Sequence, residues 1–267
     1  SATAGTDNFI AGNNAGDAIQ SGGNYNTVIG NEAGTAITTG DRNTAVGFEA
    51  LKTATTAQYN VAVGYQALEN NTGNNNTAVG DQALEANTSG TNNTAVGDDA
   101  LVANTTGIRN VAIGVSALDS NQEGDQSVAV GFNALQAQNP SGNADMNNTA
   151  VGNDAGYANT TGSGNTYLGS GAGQSVTTGI NSTFVGYGTG SGVSTGTNNT
   201  MVGQAAGQNT TGSFNNFFGG GNGTAAGYDV TSGTKNTILG GYSGDGGGLD
   251  IRTSDNYIVL SDGDGNP

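Results

Sequence analysis

One glycine constrains this chain more than any other residue. In NTAVGDQALEANTSGTNNTAVGDDAL, Asn76 to Leu101, the Gly that closes NTAVG stands at Gly80 and again at Gly97. The same marker recurs at Gly12, Gly30, Gly47, Gly64, Gly114, Gly131, Gly152, Gly169, Gly186, Gly203, Gly219 and Gly240. Spacings run from 16 to 18 residues, apart from two of 21. Self-similarity at a fixed short period means a stack of near-identical coils, a solenoid. Such a coil is too short for a helix pair. It holds a five-residue extended run, a Gly turn, a short second run and a TTG-like turn. The expected fold is therefore all-β, a parallel β-solenoid (β-roll) of about 14 coils over residues 1–244. Residues 245–267 read as an exit segment, where NYIVLSDGDGN gives one strand and a tight turn leading to a missing or neighbouring module.

Positions are counted below from the marker Gly. At −4 stands Asn in 12 of 14 coils, with Ser127 and Ser182 as exceptions. Asn43, Asn60, Asn76, Asn93, Asn110, Asn148, Asn165 and Asn199 are thus expected to stack as an amide ladder at a buried corner. At −7 stands Gly, again in 12 of 14, for instance Gly40, Gly73, Gly90 and Gly107. A fixed Gly predicts a turn with φ > 0.

Volume is traded between two further positions. Coils three to eight carry Ala at −2 and Leu at +4, from Ala45 with Leu51 to Ala129 with Leu135. Elsewhere the order reverses: Ile10 with Gly16, Val28 with Gly34, Tyr167 with Gly173, Phe184 with Gly190, Met201 with Gly207. Phe217 with Gly223 and Ile238 with Gly244 continue the pattern. Interiors keep near-constant packing density, so a large residue on one wall requires a small one opposite. Both positions should face one narrow interior, and Ala150 with Gly156, small at both, should mark a thin or water-filled coil.

If −2 points inward, −1 points outward. Yet −1 carries Ile29, Val46, Val63, Val79, Val96, Ile113, Val130, Val151, Leu168, Val185 and Val202, followed by Phe218 and Leu239. An outward apolar stripe of that length exceeds what soluble monomers tolerate. Self-association along the chain is expected, and a parallel homotrimer would give each stripe two partners.

The two long intervals break the pattern. The first contains QAQNPSGNADMNN, and Pro140, Asp145 and Met146 there form a candidate binding loop. The second, GGNGTAAGYDVTSGTKN, is a Gly-rich surface loop. Specificity is expected where the repetition fails. Neither end reads as a cap, which points to a segment of a longer fibre or a subunit that stacks end to end into a filament.

Composition closes several functional classes. With no His and no Cys, the common zinc sites and the Ser–His–Asp and Cys–His mechanisms have no residues to use. A net charge of −16 with five scattered basic residues argues against nucleic acid and against anionic membranes. No apolar run is long enough for a membrane span, so no membrane insertion is expected. No enzyme activity and no cofactor are expected. A polysaccharide-cleaving carboxylate pair would have to come from Asp145 or the Asp245–Asp255 tail. Acidic residues at +1 and +2 (Glu32, Glu49, Asp81, Asp98, Asp99, Asp154) read as a solvated face. SDGDGN resembles the start of a calcium loop, but a β-turn accounts for it. Interrupted Thr at −3 gives no flat ice-binding ladder. Among 11 N-x-[ST] sequons, Asn87, Asn104, Asn159 and Asn209 fall at turns that could carry sugars.

On NTAVGxxAL…TTG, the chain resembles the β-roll head repeats of trimeric autotransporter adhesins. It is more similar still to the NTAVGYQAL repeats of phage tail-fibre proteins, in which VLSDGDGN leads towards a C-terminal chaperone region. The coils are longer than the adhesin coil, and these residues are not expected to form an anchor, a stalk or a chaperone domain. The resemblance implies a trimeric fibre segment on a virion or other extracellular surface. It also implies host attachment without catalysis, with a cell-surface glycan or receptor as partner.

Overall fold

A computed structural model describes residues 5–221, 224–262 and 265–267. The chain is an all-β parallel solenoid of about 15 turns, and each turn contributes one three-residue strand. It divides into two compact units, residues 1–127 with 139–145, and residues 128–138 with 146–267.

The first unit carries β1 (Phe9–Ala11), β2 (Thr27–Ile29), β3 (Thr44–Val46), β4 (Val61–Val63), β5 (Thr77–Val79), β6 (Thr94–Val96) and β7 (Val111–Ile113). Successive strands pair in parallel with equivalent residues aligned, as in Thr77 with Thr94, Ala78 with Ala95 and Val79 with Val96. The second unit carries β8 (Val128–Val130), β9 (Thr149–Val151), β10 (Thr166–Leu168), β11 (Thr183–Val185), β12 (Thr200–Val202), β13 (Asn216–Phe218) and β14 (Thr237–Leu239). A two-residue antiparallel pair follows, β15 (Asp245–Gly246) with β16 (Leu249–Asp250). The last strand, β17 (Ile258–Leu260), then pairs in parallel with β14. The exit strand is thus another rung, with Ser261 standing where earlier turns have the marker Gly and Val259 buried at −2.

β-Branched Thr and Val favour the short strand, and the marker Gly ends it at φ values such as +142° (Gly64) and +138° (Gly97). A Cβ on Gly97 would also lie 2.6 Å from the carbonyl oxygen of Gly114 in the next turn. Two constraints therefore select Gly there. The −7 glycines obey only the second. Gly40, Gly73, Gly90 and Gly107 lie outside the left-handed region, contrary to the expected φ > 0 turn. Close stacking requires them instead, since a Cβ on Gly107 would approach Gly124 O to 2.6 Å.

The second run is a chain of tight turns, not a strand. Positions +2 and +4 both take left-handed φ near +55°, for example Gln82 and Leu84. Hydrogen bonds still climb from turn to turn there, as from Leu84 N–H to Ala100 O (3.0 Å) and Leu101 N–H to Ala117 O (3.0 Å).

The volume trade holds through most of both units. Ala45, Ala62, Ala78, Ala95 and Ala112 are fully buried with Leu51, Leu68, Leu84, Leu101 and Leu118. In the second unit Tyr167, Phe184, Met201 and Phe217 fill the same space from the −2 wall. Two pairs are corrected. The longer interval moves the glycine facing Phe217 to Gly227, and Gly223 lies outside the described residues. Gly244 faces Val230 and Arg252, not Ile238. The turn of Ala150 and Gly156 is not thin either. A Cβ on Gly156 would lie 2.7 Å from the Tyr167 ring and 2.9 Å from Leu135 Cδ2, so neighbouring turns close the layer from both sides.

Candidate functional site

Three features of the turns could carry function: the outward stripe, the amide ladders, and the places where the repeat is interrupted. Position −1 faces outward as parity requires. Val79, Val96 and Ile113 in the first unit, and Val151 and Leu168 in the second, are exposed, Ile113 to 40% and Leu168 to 46%. Ile29, Val46, Val63, Val130, Val185 and Val202 are half-buried, because stacked neighbours about 4.8 Å away shield one another. Position +1 adds exposed apolar side chains missed in the sequence: Phe48, Tyr65, Val115, Phe132 and Tyr187. Phe48 and Tyr65 stack with centroids 5.5 Å apart.

Asn43, Asn60, Asn76, Asn93, Asn110, Asn148, Asn165 and Asn199 are all buried. Their main partners are backbone groups rather than one another. Asn76 N–H donates to Asn60 Oδ1 (2.9 Å), while Asn76 Nδ2 donates to Gly90 O (2.8 Å). The same pair of bonds recurs at Asn93 and Asn165. Each amide closes the −7 carbonyl of the next turn and accepts from the next −4 N–H. Ser182 retains the acceptor role, taking Asn199 N–H at 3.1 Å.

A second ladder runs through Asn71, Asn87, Asn104 and Asn121 at +7. Asn87 Nδ2 donates to Asn71 Oδ1 (2.6 Å), and Asn104 Nδ2 to Asn87 Oδ1 (2.7 Å). All four are fully buried, as is Asn159, whose Nδ2 donates to Gly162 O (3.0 Å). The expectation of sugars at Asn87, Asn104 and Asn159 is therefore corrected: their amide nitrogens are committed inside the fold. Asn209 is exposed.

Of the candidate binding loop, Asp145 is exposed, but Pro140 and Met146 are buried. Pro140 packs on Gly124, and Met146 O accepts from Gly164 N–H (2.8 Å). Gln126 donates to Asp145, Gly142 N–H to Glu123 Oε2 (2.6 Å), and Thr106 Oγ1 to Asn143 Oδ1 (2.9 Å). The loop is stitched down, and two of its three proposed contact residues cannot reach a ligand.

The acidic column divides. Lys52 bridges Glu32 (3.2 Å) and Glu49, and its ammonium holds the Glu49 carboxyl below the usual range. At Asp99 no cation stands close among the described residues, and burial, then Asp98, Asp119 and Asp81, push its carboxyl up. Among the described residues no group of three or more acidic side chains is arranged to hold a metal ion. In SDGDGN, Asn266 N–H turns back to Asp262 Oδ1 (3.1 Å), and Gly263 and Asp264 lie outside the described residues.

A groove of about 580 Å³ crosses successive turns of the second unit. Gly171, Gly188 and Ala205, all at +2, form its floor. Side chains at +1 and +5 form its walls, among them Tyr187, Gln174, Ser191 and Gln208, with Asp154 and Tyr228 also lining it. No sequence motif announced it, because the groove consists of side chains that are missing. Among the described residues no helix is long and apolar enough to cross a membrane. Neither a family model, nor a curated protein, nor a solved structure matches the chain.

Proposed function

We propose that the chain is a structural segment of an extracellular fibre or adhesin, of the tail-fibre kind, which assembles as a parallel homotrimer and holds a rigid surface out for attachment to a host cell. The observation that carries this reading is the outward apolar stripe at −1. Regular solenoid turns repeat it without a covering layer from the same coil, and each partly exposed side chain that a partner covers contributes a fraction of the roughly 1.5–3 kcal/mol of complete burial, summed over many turns. A neighbour that presents the same stripe at the same spacing matches it turn for turn, as closed symmetric assemblies require. The ladders below it favour rigidity, since within each unit successive turns are bonded through backbone groups and buried amides, as at Asn76, Asn93 and Asn165.

Mass in solution tests the proposal. The intact chain is expected to run as a trimer by light scattering, and the double substitution Val79→Asp, Val96→Asp to run as a monomer with its circular dichroism unchanged. Because both side chains point outward, Val79→Thr, Val96→Thr serves as a folded control of intermediate effect. A wild-type monomer at micromolar concentration would sink the assembly, and rods that lengthen with concentration would favour end-to-end filaments instead.

A further inference from the structure

We infer that the groove over Gly171 and Gly188 is a binding site for a neutral oligosaccharide, which adds the ligand class to the attachment reading above and rests on it. The groove arises where the repeat drops a side chain. Position +2 is left-handed in turn after turn, and most turns nonetheless place a polar side chain there: Gln66, Gln82, Asp99, Ser116, Asn133, Asp154. Gly171 (φ +65°) and Gly188 (φ +62°) leave that row bare over two consecutive turns, and Ala205 continues it with a methyl group. A Cβ on Gly188 would meet nothing within 4 Å, and one on Gly171 nothing closer than 3.9 Å. Packing therefore does not require glycine at either place. What the two glycines provide is an open floor.

Three properties of the walls select the ligand. First, polarity: Gln174, Ser191, Gln204 and Gln208 offer amides and hydroxyls, and the side-chain amides of Gln174 and Gln208 have no hydrogen-bond partner among the described residues. Each carboxamide presents both donors and acceptors, as a sugar hydroxyl requires. Second, aromatic surface: Tyr187, 67% exposed, and the half-buried Tyr228 give flat faces against which the C–H face of a pyranose can lie. Third, charge: among the described residues no Lys or Arg lines the groove, and Asp154 is its one carboxylate. That carboxylate is already held at both oxygens, by Asn133 Nδ2 (3.1 Å) and Asn153 Nδ2 (2.7 Å). Phosphate, sulfate and polyuronate ligands are disfavoured by this lining and by the net charge of −16. A lone carboxylate without a second one across the groove also suits binding rather than glycosidic cleavage.

Size agrees. Asn153, Ser170, Tyr187 and Gln204 stand on four successive rungs, spanning roughly 14 Å at the usual strand spacing. The volume of about 580 Å³ lies within the range of small-ligand sites. Both fit a short oligosaccharide or one stretch of a longer chain.

The test uses the whole chain on a printed array of neutral and acidic oligosaccharides, followed by calorimetric titration of the best neutral trisaccharide. Wild type is expected to retain neutral glycans and not acidic ones. Tyr187→Ala should weaken the titrated affinity roughly tenfold or more. Gly188→Asn, which refills the row with a residue tolerant of left-handed φ, should abolish it without changing the thermal midpoint. The proposal is overturned if no neutral glycan is retained, or if both variants bind like wild type. It is also overturned if Gly188→Asn changes the mass in solution, because the groove would then belong to self-contact. A trimer that binds no glycan sinks this inference and leaves the assembly standing; a monomer that binds glycan through the groove does the reverse.

Discussion

The two units build the same turn from opposite walls. Most turns of the first set Leu at +4 against Ala at −2, whereas the second, after the Ala129–Leu135 turn and the Ala150–Gly156 turn that is small at both places, sets Tyr167, Phe184, Met201 and Phe217 at −2 against glycine. Position +4 is left-handed in both, at φ +53° for Leu101 and +58° for Gly190. A left-handed leucine costs about 1–2 kcal/mol in backbone strain, and burying it returns roughly 1.5–3 kcal/mol. The leucine solution therefore survives on a narrow margin. Its glycine counterpart avoids the strain and recovers the burial from a larger side chain across the interior. The lesson is that packing volume, not residue identity at one position, is what a turn conserves.

Transplanting one solution into the other should break the fold locally, and this is the largest effect expected. In Gly190→Leu the new Cβ would sit inside contact distance of the Phe184 ring. We expect a loss of about 3 kcal/mol or more, beyond the usual cost of overpacking, since the opposing ring is fully buried. Adding Phe184→Ala should restore most of it, by recreating the Ala–Leu arrangement of the first unit. A denaturant-based double-mutant cycle measures this coupling. Additive losses would mean that the two positions do not share one space.

A smaller change, of opposite sign, probes the second unit alone. Tyr167 stacks on Phe184 with centroids 5.7 Å apart, and its hydroxyl is buried without a hydrogen-bond partner among the described residues. Burial pushes the phenol pKa up. Tyr167→Phe keeps the ring and removes the unsatisfied oxygen, so a gain of about 1–3 kcal/mol in unfolding free energy is expected. A loss would show that the hydroxyl is engaged.

Much of this was legible in the sequence, for a physical reason. Stacking forces each turn to obey the same local rules, so Gly80, Asn76, Ala78 and Leu84 repeat in phase and reveal period, parity and interior together. What stayed hidden depends on contacts that no single turn displays. Gly107 reads like a positive-φ glycine but is selected by the carbonyl of Gly124. Asn87 reads like an exposed sequon because its ladder extends over only a few turns before Gln138 replaces Asn. Leu84 gives no sign of its left-handed backbone, since leucine is not a residue that announces one. The rung at Val259 was obscured because Ser261 replaces the marker. The groove, made by Gly171 and Gly188, was hidden among 49 glycines.

The outer row at +1 and +2 extends the comparison to charge, and its effect is the smallest. In the first unit this row carries Asp81, Asp98 and Asp99, whereas in the second it becomes the largely uncharged groove. Burial first, and then the carboxylates of Asp98, Asp119 and Asp81, raise the pKa of Asp99 above its ordinary value. An acid with a raised folded pKa binds its proton more tightly folded than unfolded. Its ionised form therefore opposes folding above the folded pKa, and that opposition is relieved as pH falls towards the unfolded value. Below both values nothing further changes. Asp99→Asn removes the group at a position where Asn133 already shows that asparagine accepts the same left-handed φ (+54°). The variant should be more stable than wild type at neutral pH, and the difference should shrink as the solution is taken to about pH 4. Thermal midpoints of the two proteins across that window measure it. A matched change in the second unit, Asp154→Asn, provides the contrast: its carboxylate is hydrogen-bonded at both oxygens, so its removal at neutral pH should destabilise. Opposite signs at equivalent +2 positions would establish that a carboxylate there opposes folding in one unit and supports it, through its hydrogen bonds, in the other.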